Sequence, residues 1–193
     1  MNRKIGTIAA IASLLFAGSA MADPIVIGPG DCVTAGPDQN CWTSDDNSQP
    51  GISDFEALLG ESGLEVLYKK EVEGGGEDGS FEDDYSTAFF NSPTDPMDAL
   101  ITWNGPDSID CPVCYLWVKD GRHEPSLYVF DISDWNGTDS IDLQDFWEGN
   151  GAISNIGILG RAGETRVSEP ATLGLLGMGL MAVGFARRRR SAA

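Results

Sequence analysis

The hydrophobic positions of this chain fall into short runs that turn-forming residues separate. Six runs are rich in β-branched and aromatic side chains, at 64–72, 86–90, 100–103, 115–119, 127–132 and 153–159. Between them lie turn signals such as Asn104-Gly105, Asp120-Gly121 and Asn136-Gly137. Short strands at this spacing predict a mainly β fold, specifically a single β-sandwich domain.

Helical signals are few. Ser53 followed by Glu56 has the spacing of a capping box and predicts a short helix through Leu59. A second helical turn is predicted at 143–147. The stretch 74–84 is acidic and rich in glycine, which predicts a surface loop.

The N-terminus has the three parts of a secretory signal peptide. Arg3 and Lys4 precede an apolar run at 5–18, and Ala20 and Ala22 are the small residues that signal peptidase accepts. This predicts a signal peptide at 1–22 and cleavage before Asp23. The alternative is an uncleaved membrane anchor, for which the apolar run is short.

The C-terminus predicts a membrane helix with a basic stop. Residues 171–186 are 16 uncharged residues, which span about 24 Å as a helix. That is short for a hydrocarbon core of about 30 Å, although flanking residues can compensate. The cluster Arg187, Arg188, Arg189 and Arg190 marks the far side as cytoplasmic. With 168–193 and 1–22 assigned to targeting, residues 23–167 form the predicted acidic domain.

This tail resembles the PEP-CTERM sorting signal of exosortase substrates, which has a Pro-Glu-Pro motif, a short apolar helix and an arginine cluster. The matching residues are Glu169, Pro170, Ala171 and Thr172, while Ser168 replaces the first proline. The resemblance implies that an exosortase-type membrane transpeptidase cuts near the motif. The protein would then pass from the inner membrane to the cell surface or outside the cell. The alternative is an ordinary single-span anchor.

The domain also resembles a body often found ahead of such tails. The similar segments are 115–121, 127–130, 135–138 and 151–155, within a region of about 97–160. The relatives have histidine where this chain has Asn155. The resemblance implies a secreted β-rich domain and no settled activity.

Charge excludes one class of function and suggests another. The whole chain has a net charge of −18, but residues 23–168 carry six basic and 29 acidic side chains, a net charge of −23. Such a body excludes a nucleic-acid binder that neutralises phosphates and argues against docking on anionic lipid. Its acidity suggests weak binding of divalent cations, which could bridge to exopolysaccharide.

Four cysteines in an exported chain predict disulfides, of which three connectivities are possible. We favour Cys32–Cys41 and Cys111–Cys114, because each closes a small loop. A redox site at Cys111-Pro112-Val113-Cys114 would need a helix after the motif, whereas a strand is predicted here. A zinc site would need more ligands than His123, the single histidine.

Two sets of residues are candidates for weak calcium binding, the only cofactor the sequence suggests. The octapeptide from Trp103 recurs from Trp135, and each copy carries paired aspartates, Asp107 and Asp110 or Asp139 and Asp142. The interpretation we favour is two similar turns with solvated acids. The second set, Asp45, Asn47 and Glu56, has EF-hand-like spacing, but Pro50 stands where that loop needs glycine.

No catalytic motif is present. The chain has neither G-x-S-x-G nor H-E-x-x-H, and His123 lies in a predicted loop. We therefore expect a non-enzymatic, structural or adhesive protein of the cell surface or extracellular matrix. The alternatives are a small secreted carbohydrate hydrolase and a permanently membrane-anchored structural protein.

Overall fold

The computed structural model describes residues 24–161, except positions 93, 111, 121, 148, 150 and 151. It contains one short helix, α1 at Ile52–Leu59, one 3-10 turn at Pro29–Asp31 and ten strands. The strands are β1 Ile25–Ile27, β2 Cys41–Ser44, β3 Glu65–Glu71, β4 Glu77–Asp78, β5 Tyr85–Phe90, β6 Asp98–Trp103, β7 Cys114–Lys119, β8 Leu127–Asp131, β9 Ile141–Leu143 and β10 Asn155–Gly160. The prediction of a mainly β fold is confirmed.

The strands form two sheets. The smaller sheet has the order β1-β9-β6-β5, and the larger has the order β2-β8-β7-β10-β3-β4. Only β1 pairs in parallel, with β9, among the described strands. All six predicted strands are present, because each run is rich in β-forming side chains and long enough to pair along a sheet.

The main core lies between the two sheets. Leu116, Val118 and Ile156 of the larger sheet belong to the same buried cluster as Ile101 and Ile141 of the smaller one. Alternation of side chains along a strand explains this, because every second residue points toward the facing sheet.

A second core covers the outer face of the larger sheet. Helix α1 places Phe55 against Trp117 of β7, with ring centroids 5.4 Å apart. Trp117 also lies over Gly157 of β10, where a Cβ atom would overlap the indole ring. Both faces of the central strands are therefore buried, and every residue of β7 and β10 is buried.

Two details of the predicted helices are wrong. Helix α1 begins after Gly51, whose N–H donates to Asp54, so Ser53 is not the N-cap. Residues 143–147 are not helical: Leu143 ends β9, and Asp145 and Trp147 have φ angles of 61° and 54°. A right-handed helix requires negative φ at each residue. The acidic stretch 74–84 is mostly exposed, but it contains β4 and the buried Phe81.

Candidate functional site

An open polar cavity of about 690 Å³ lies at one end of the larger sheet. Five segments of the chain meet there: the connection from β2 to α1, the end of β3, and the β5–β6, β7–β8 and β9–β10 connections. The lining residues used below are Asn47, Gln49, Glu71, Glu73, Thr94, Asp95, Lys119, Asp120, Arg122, His123, Ser154 and Asn155. Loops that gather at one end of a sandwich are a common position for binding sites.

Lys119 and Asn155 form the floor of this cavity. They are opposite each other in the ladder between β7 and β10, and their exposed fractions are 2% and 4%. The Lys119 Nζ donates to the carbonyl oxygens of Asn47 and Asp120, at 3.1 and 2.8 Å. Burial lowers the pKa of Lys119, and the charges of Asp120 and Asp46 partly oppose this shift.

Asn155 connects three elements. Its Oδ1 accepts a hydrogen bond from Trp117 Nε1 at 2.9 Å, and its Nδ2 donates to Gln49 Oε1 at 3.2 Å. The amide therefore joins β7 and β10 to the connection that leads into α1.

Asp120 organises the β7–β8 connection. Its Oδ1 accepts the backbone N–H of Arg122 at 2.9 Å, and its Oδ2 lies 2.8 Å from His123 Nδ1. The same Oδ2 accepts the N–H of Ala152 at 3.4 Å, which ties this connection to the β9–β10 connection. In the part of the chain that the structure describes, no serine or cysteine side chain hydrogen-bonds to His123, whose Nδ1 contacts Asp120.

Backbone strain is concentrated in two of the loops at this end. The three non-glycine residues with positive φ among those described are Asn91, Asp145 and Trp147. Asn91 begins the β5–β6 connection, and the other two lie in the β9–β10 connection. Asp98 Oδ1 accepts the N–H of Asp145 at 2.8 Å, and Trp147 Nε1 donates to the Pro125 carbonyl at 2.9 Å. Such strain persists only where surrounding contacts fix it, and it often accompanies binding loops.

The two copies of the octapeptide share one tryptophan hydrogen bond. Trp103 Nε1 donates to the Asp107 carbonyl, and Trp135 Nε1 donates to the Asp139 carbonyl, each at 2.8 Å. Tyr85 lies between the copies: its hydroxyl accepts the N–H of Ile109 at 2.8 Å and donates to the Gly137 carbonyl at 2.5 Å. The Tyr85 hydroxyl therefore joins the two copies to each other and to β5.

Two of the candidate calcium ligands accept hydrogen bonds from the protein itself. Asp142 Oδ2 accepts a hydrogen bond from Gln144 at 2.6 Å, and Glu56 Oε1 accepts the N–H groups of Gly63 and Leu64. Within the described ranges, no group of three or more His, Cys, Asp or Glu side chains could hold a metal ion. Calcium binding by Asp107, Asp110, Asp139 and Asp142, or by Asp45, Asn47 and Glu56, stays a prediction.

The Cys32–Cys41 disulfide is confirmed, with Cα atoms 5.0 Å apart. Cys114 is also disulfide-bonded. Cys111 lies outside the described residues, so the Cys111–Cys114 pairing stays a prediction.

Both targeting segments lie outside the described residues as well. These include the signal cleavage residues Ala20, Ala22 and Asp23 and the sorting segment from Ser168 to Arg190. Across the portion of the chain that is described, no helix is long and apolar enough to cross a membrane.

The structure thus defines a two-sheet, disulfide-bonded β body with an open polar cavity. Comparison with known proteins identifies the tail: residues 166–190 match the family model of the PEP-CTERM protein-sorting motif. The chain therefore carries this motif, as its sequence predicted, and the motif implies export, transient anchoring and processing by an exosortase-type enzyme. No curated protein and no solved structure matches the chain.

The sequence did not single out the cavity as a site. Lys119 ends an otherwise apolar strand, and Asn155 begins another, so each is an isolated polar residue at the boundary of a buried run. The resemblance of the body covered both positions. The resemblance did not show that Lys119 and Asn155 lie opposite each other, because that depends on the order of strands in the sheet.

Proposed function

We propose that this protein is a non-enzymatic component of the cell surface or extracellular matrix, and that its cavity binds exopolysaccharide. The observation that carries the proposal is the cavity itself, in a body whose tail carries an exosortase-type sorting motif. We also propose that the acidic surface binds divalent cations weakly.

The side chains of the cavity suit hydroxyl groups. Amides from Asn47, Gln49 and Asn155 offer donors and acceptors, and the hydroxyls of Thr94 and Ser154 offer both. Carboxylates from Glu71, Glu73 and Asp95 accept hydrogen bonds from sugar hydroxyls and repel anionic polymers. We therefore expect direct binding of neutral or amine-bearing polysaccharides, and of uronate-rich polymers only through a bridging cation.

The arrangement favours binding over hydrolysis. A glycosidase needs a carboxylic acid and a carboxylate that face each other across the sugar. Asp120, the most buried carboxylate of the cavity, is already engaged by Arg122, His123 and Ala152. A carbohydrate hydrolase remains the second candidate, and release of reducing ends from host polysaccharide by the purified protein would favour it.

Binding can be tested with exopolysaccharide purified from the native host. We expect Gln49→Ala to weaken binding about fivefold, the equivalent of one hydrogen bond of about 1 kcal/mol. Gln144→Ala is the matched control, because Gln144 is also exposed but does not line the cavity. Equal binding by the two variants would contradict a role for the cavity.

Processing can be tested by mass spectrometry of the mature protein from the native host. We expect its C-terminus to lie near Glu169, without Arg187, Arg188, Arg189 and Arg190. An intact Arg190 in the surface-released protein would instead support the permanent membrane anchor. The same spectra would show whether Asp23 is the new N-terminus.

A further inference from the structure

Among the described residues, strand β5 is an unpaired edge of the smaller sheet. It pairs with β6 on one side, and none of the other backbone hydrogen bonds among the described residues involves 85–90. Its sequence, Tyr-Ser-Thr-Ala-Phe-Phe, contains no charge and no proline, the two residue classes that usually block an edge. Phe90 at its end is 45% exposed.

The other described edges are blocked or short. Strand β4 has two residues, both acidic, and β1 has three residues. Strand β2 has four residues, and a disulfide joins its first residue to Cys32. In a body of net charge −23, the longest edge strand is therefore an uncharged one.

We propose that β5 pairs antiparallel with β5 of a second copy of this chain, so that the two smaller sheets form one continuous eight-stranded sheet. The two-fold axis would pass through Ala88. Ser86 of each copy would then lie opposite Phe90 of the other, and the outward side chains of both strands are exposed in the single chain.

This register also avoids repulsion between acids. Asp84 precedes β5 and lies outside the residues 86–90 that the symmetric pairing joins, so it does not face its own counterpart. Like charges directly opposite each other destabilise a strand pair, so a register that separates them is favoured. The remaining repulsion between two acidic bodies is long-range, and salt screens it.

Cysteine cross-linking in the full-length, exported chain tests the register. Residues directly opposite each other across an antiparallel pair have Cα atoms about 4.5–5.5 Å apart, within the range of a disulfide. Ala88→Cys is therefore expected to give a disulfide-linked dimer on a non-reducing gel. Ser86→Cys is the control on the same strand, because the two copies of position 86 would be about 14 Å apart.

We expect roughly tenfold more dimer from Ala88→Cys than from Ser86→Cys or from Ala57→Cys on the exposed face of α1, because a pre-aligned thiol pair reacts at a high effective concentration. Equal cross-linking at positions 88, 86 and 57 would overturn the proposal. A second measurement is sedimentation of the same exported protein. Ala88→Lys, which sets two positive charges opposite each other, should dissociate the dimer, and Ala57→Lys should leave it intact.

Cross-linking is measured without polysaccharide, so its outcome does not depend on ligand binding at the cavity. The self-association can therefore fail while the proposed function holds, and the reverse is also possible.

Discussion

Tyr85 is the residue that joins the two octapeptide copies, and its hydroxyl is buried with both its hydrogen-bond partners. Tyr85→Phe would leave the N–H of Ile109 and the carbonyl of Gly137 without this partner. An unsatisfied buried group costs about 1–3 kcal/mol, so we expect the free energy of unfolding to fall by about that amount. Urea denaturation followed by tryptophan fluorescence measures it.

The control for this change is Tyr128→Phe. Tyr128 is half-buried against Trp147 and Phe146, and no side chain of the described ranges forms a hydrogen bond with its hydroxyl. Loss of this hydroxyl should change the free energy of unfolding by less than about 0.5 kcal/mol. Equal destabilisation by the two variants would show that the contact between the copies is not the cause.

The buried tyrosines also make stability depend on alkaline pH. Burial raises the pKa of Tyr68, Tyr85 and Tyr115 to about 12, from an ordinary value of 10.0. Because the folded pKa is the higher one, the stabilisation is complete below about pH 10 and is lost as the pH rises toward 12. We expect the urea midpoint to fall over this interval, less steeply in Tyr85→Phe. Native tyrosines that all titrate near pH 10 would contradict the prediction.

Residue roles were the hardest feature to predict from sequence. The octapeptide repeat was visible, and its interpretation as two similar turns agrees with the shared tryptophan hydrogen bond. The role of Tyr85 was not visible, because its partners lie 24 and 52 residues away. Asp120 was hidden for a related reason: among so many acidic residues, only burial distinguishes it.

At the scale of elements, the contact between β7 and β10 depends on one missing side chain. A Cβ atom at Gly157 would overlap the Trp117 indole and the Tyr68 carbonyl. Overpacking of this kind costs about 1–3 kcal/mol or more, so Gly157→Ala should lower the free energy of unfolding by at least that range. Urea denaturation and the yield of soluble protein would show the effect.

Gly76→Ala provides the matched control, since a Cβ atom there would meet nothing within 4 Å. It should be neutral or slightly stabilising, because alanine restricts the unfolded chain. If Gly157→Ala lowered the free energy of unfolding no more than Gly76→Ala, Trp117 would not be packed over Gly157 as described.

Element prediction succeeded where burial was strong. The six predicted strands have five to seven residues each, and the four that were missed have two to four. Strands β1, β4 and β9 have only two or three residues, too few to show a period of two. The helix predicted at 143–147 does not form. Its apolar residues lie in a strained loop, where Phe146 and Trp147 both pack against Tyr128.

At the scale of the whole molecule, acidity sets the response to cations. A body of net charge −23 repels itself, and screening should stabilise it. We expect the melting temperature to rise with NaCl, by about 2–4 °C for each kcal/mol of repulsion relieved. At equal ionic strength, Ca²⁺ and Mg²⁺ should raise it further and by similar amounts, because no described group of three ligands offers a specific calcium site.

A pair of double variants separates diffuse binding from a site. Asp107→Asn with Asp139→Asn removes one aspartate from each octapeptide, and Glu82→Gln with Asp83→Asn removes the same charge from an exposed turn. Diffuse binding depends on total charge, so both variants should lose the same small part of the calcium response in a thermal-shift titration. A response that only the first variant loses, and that Mg²⁺ does not reproduce, would instead assign a specific calcium site to the octapeptides. The acidity of the body would then act locally, through a few ligands, and not as a property of the whole surface.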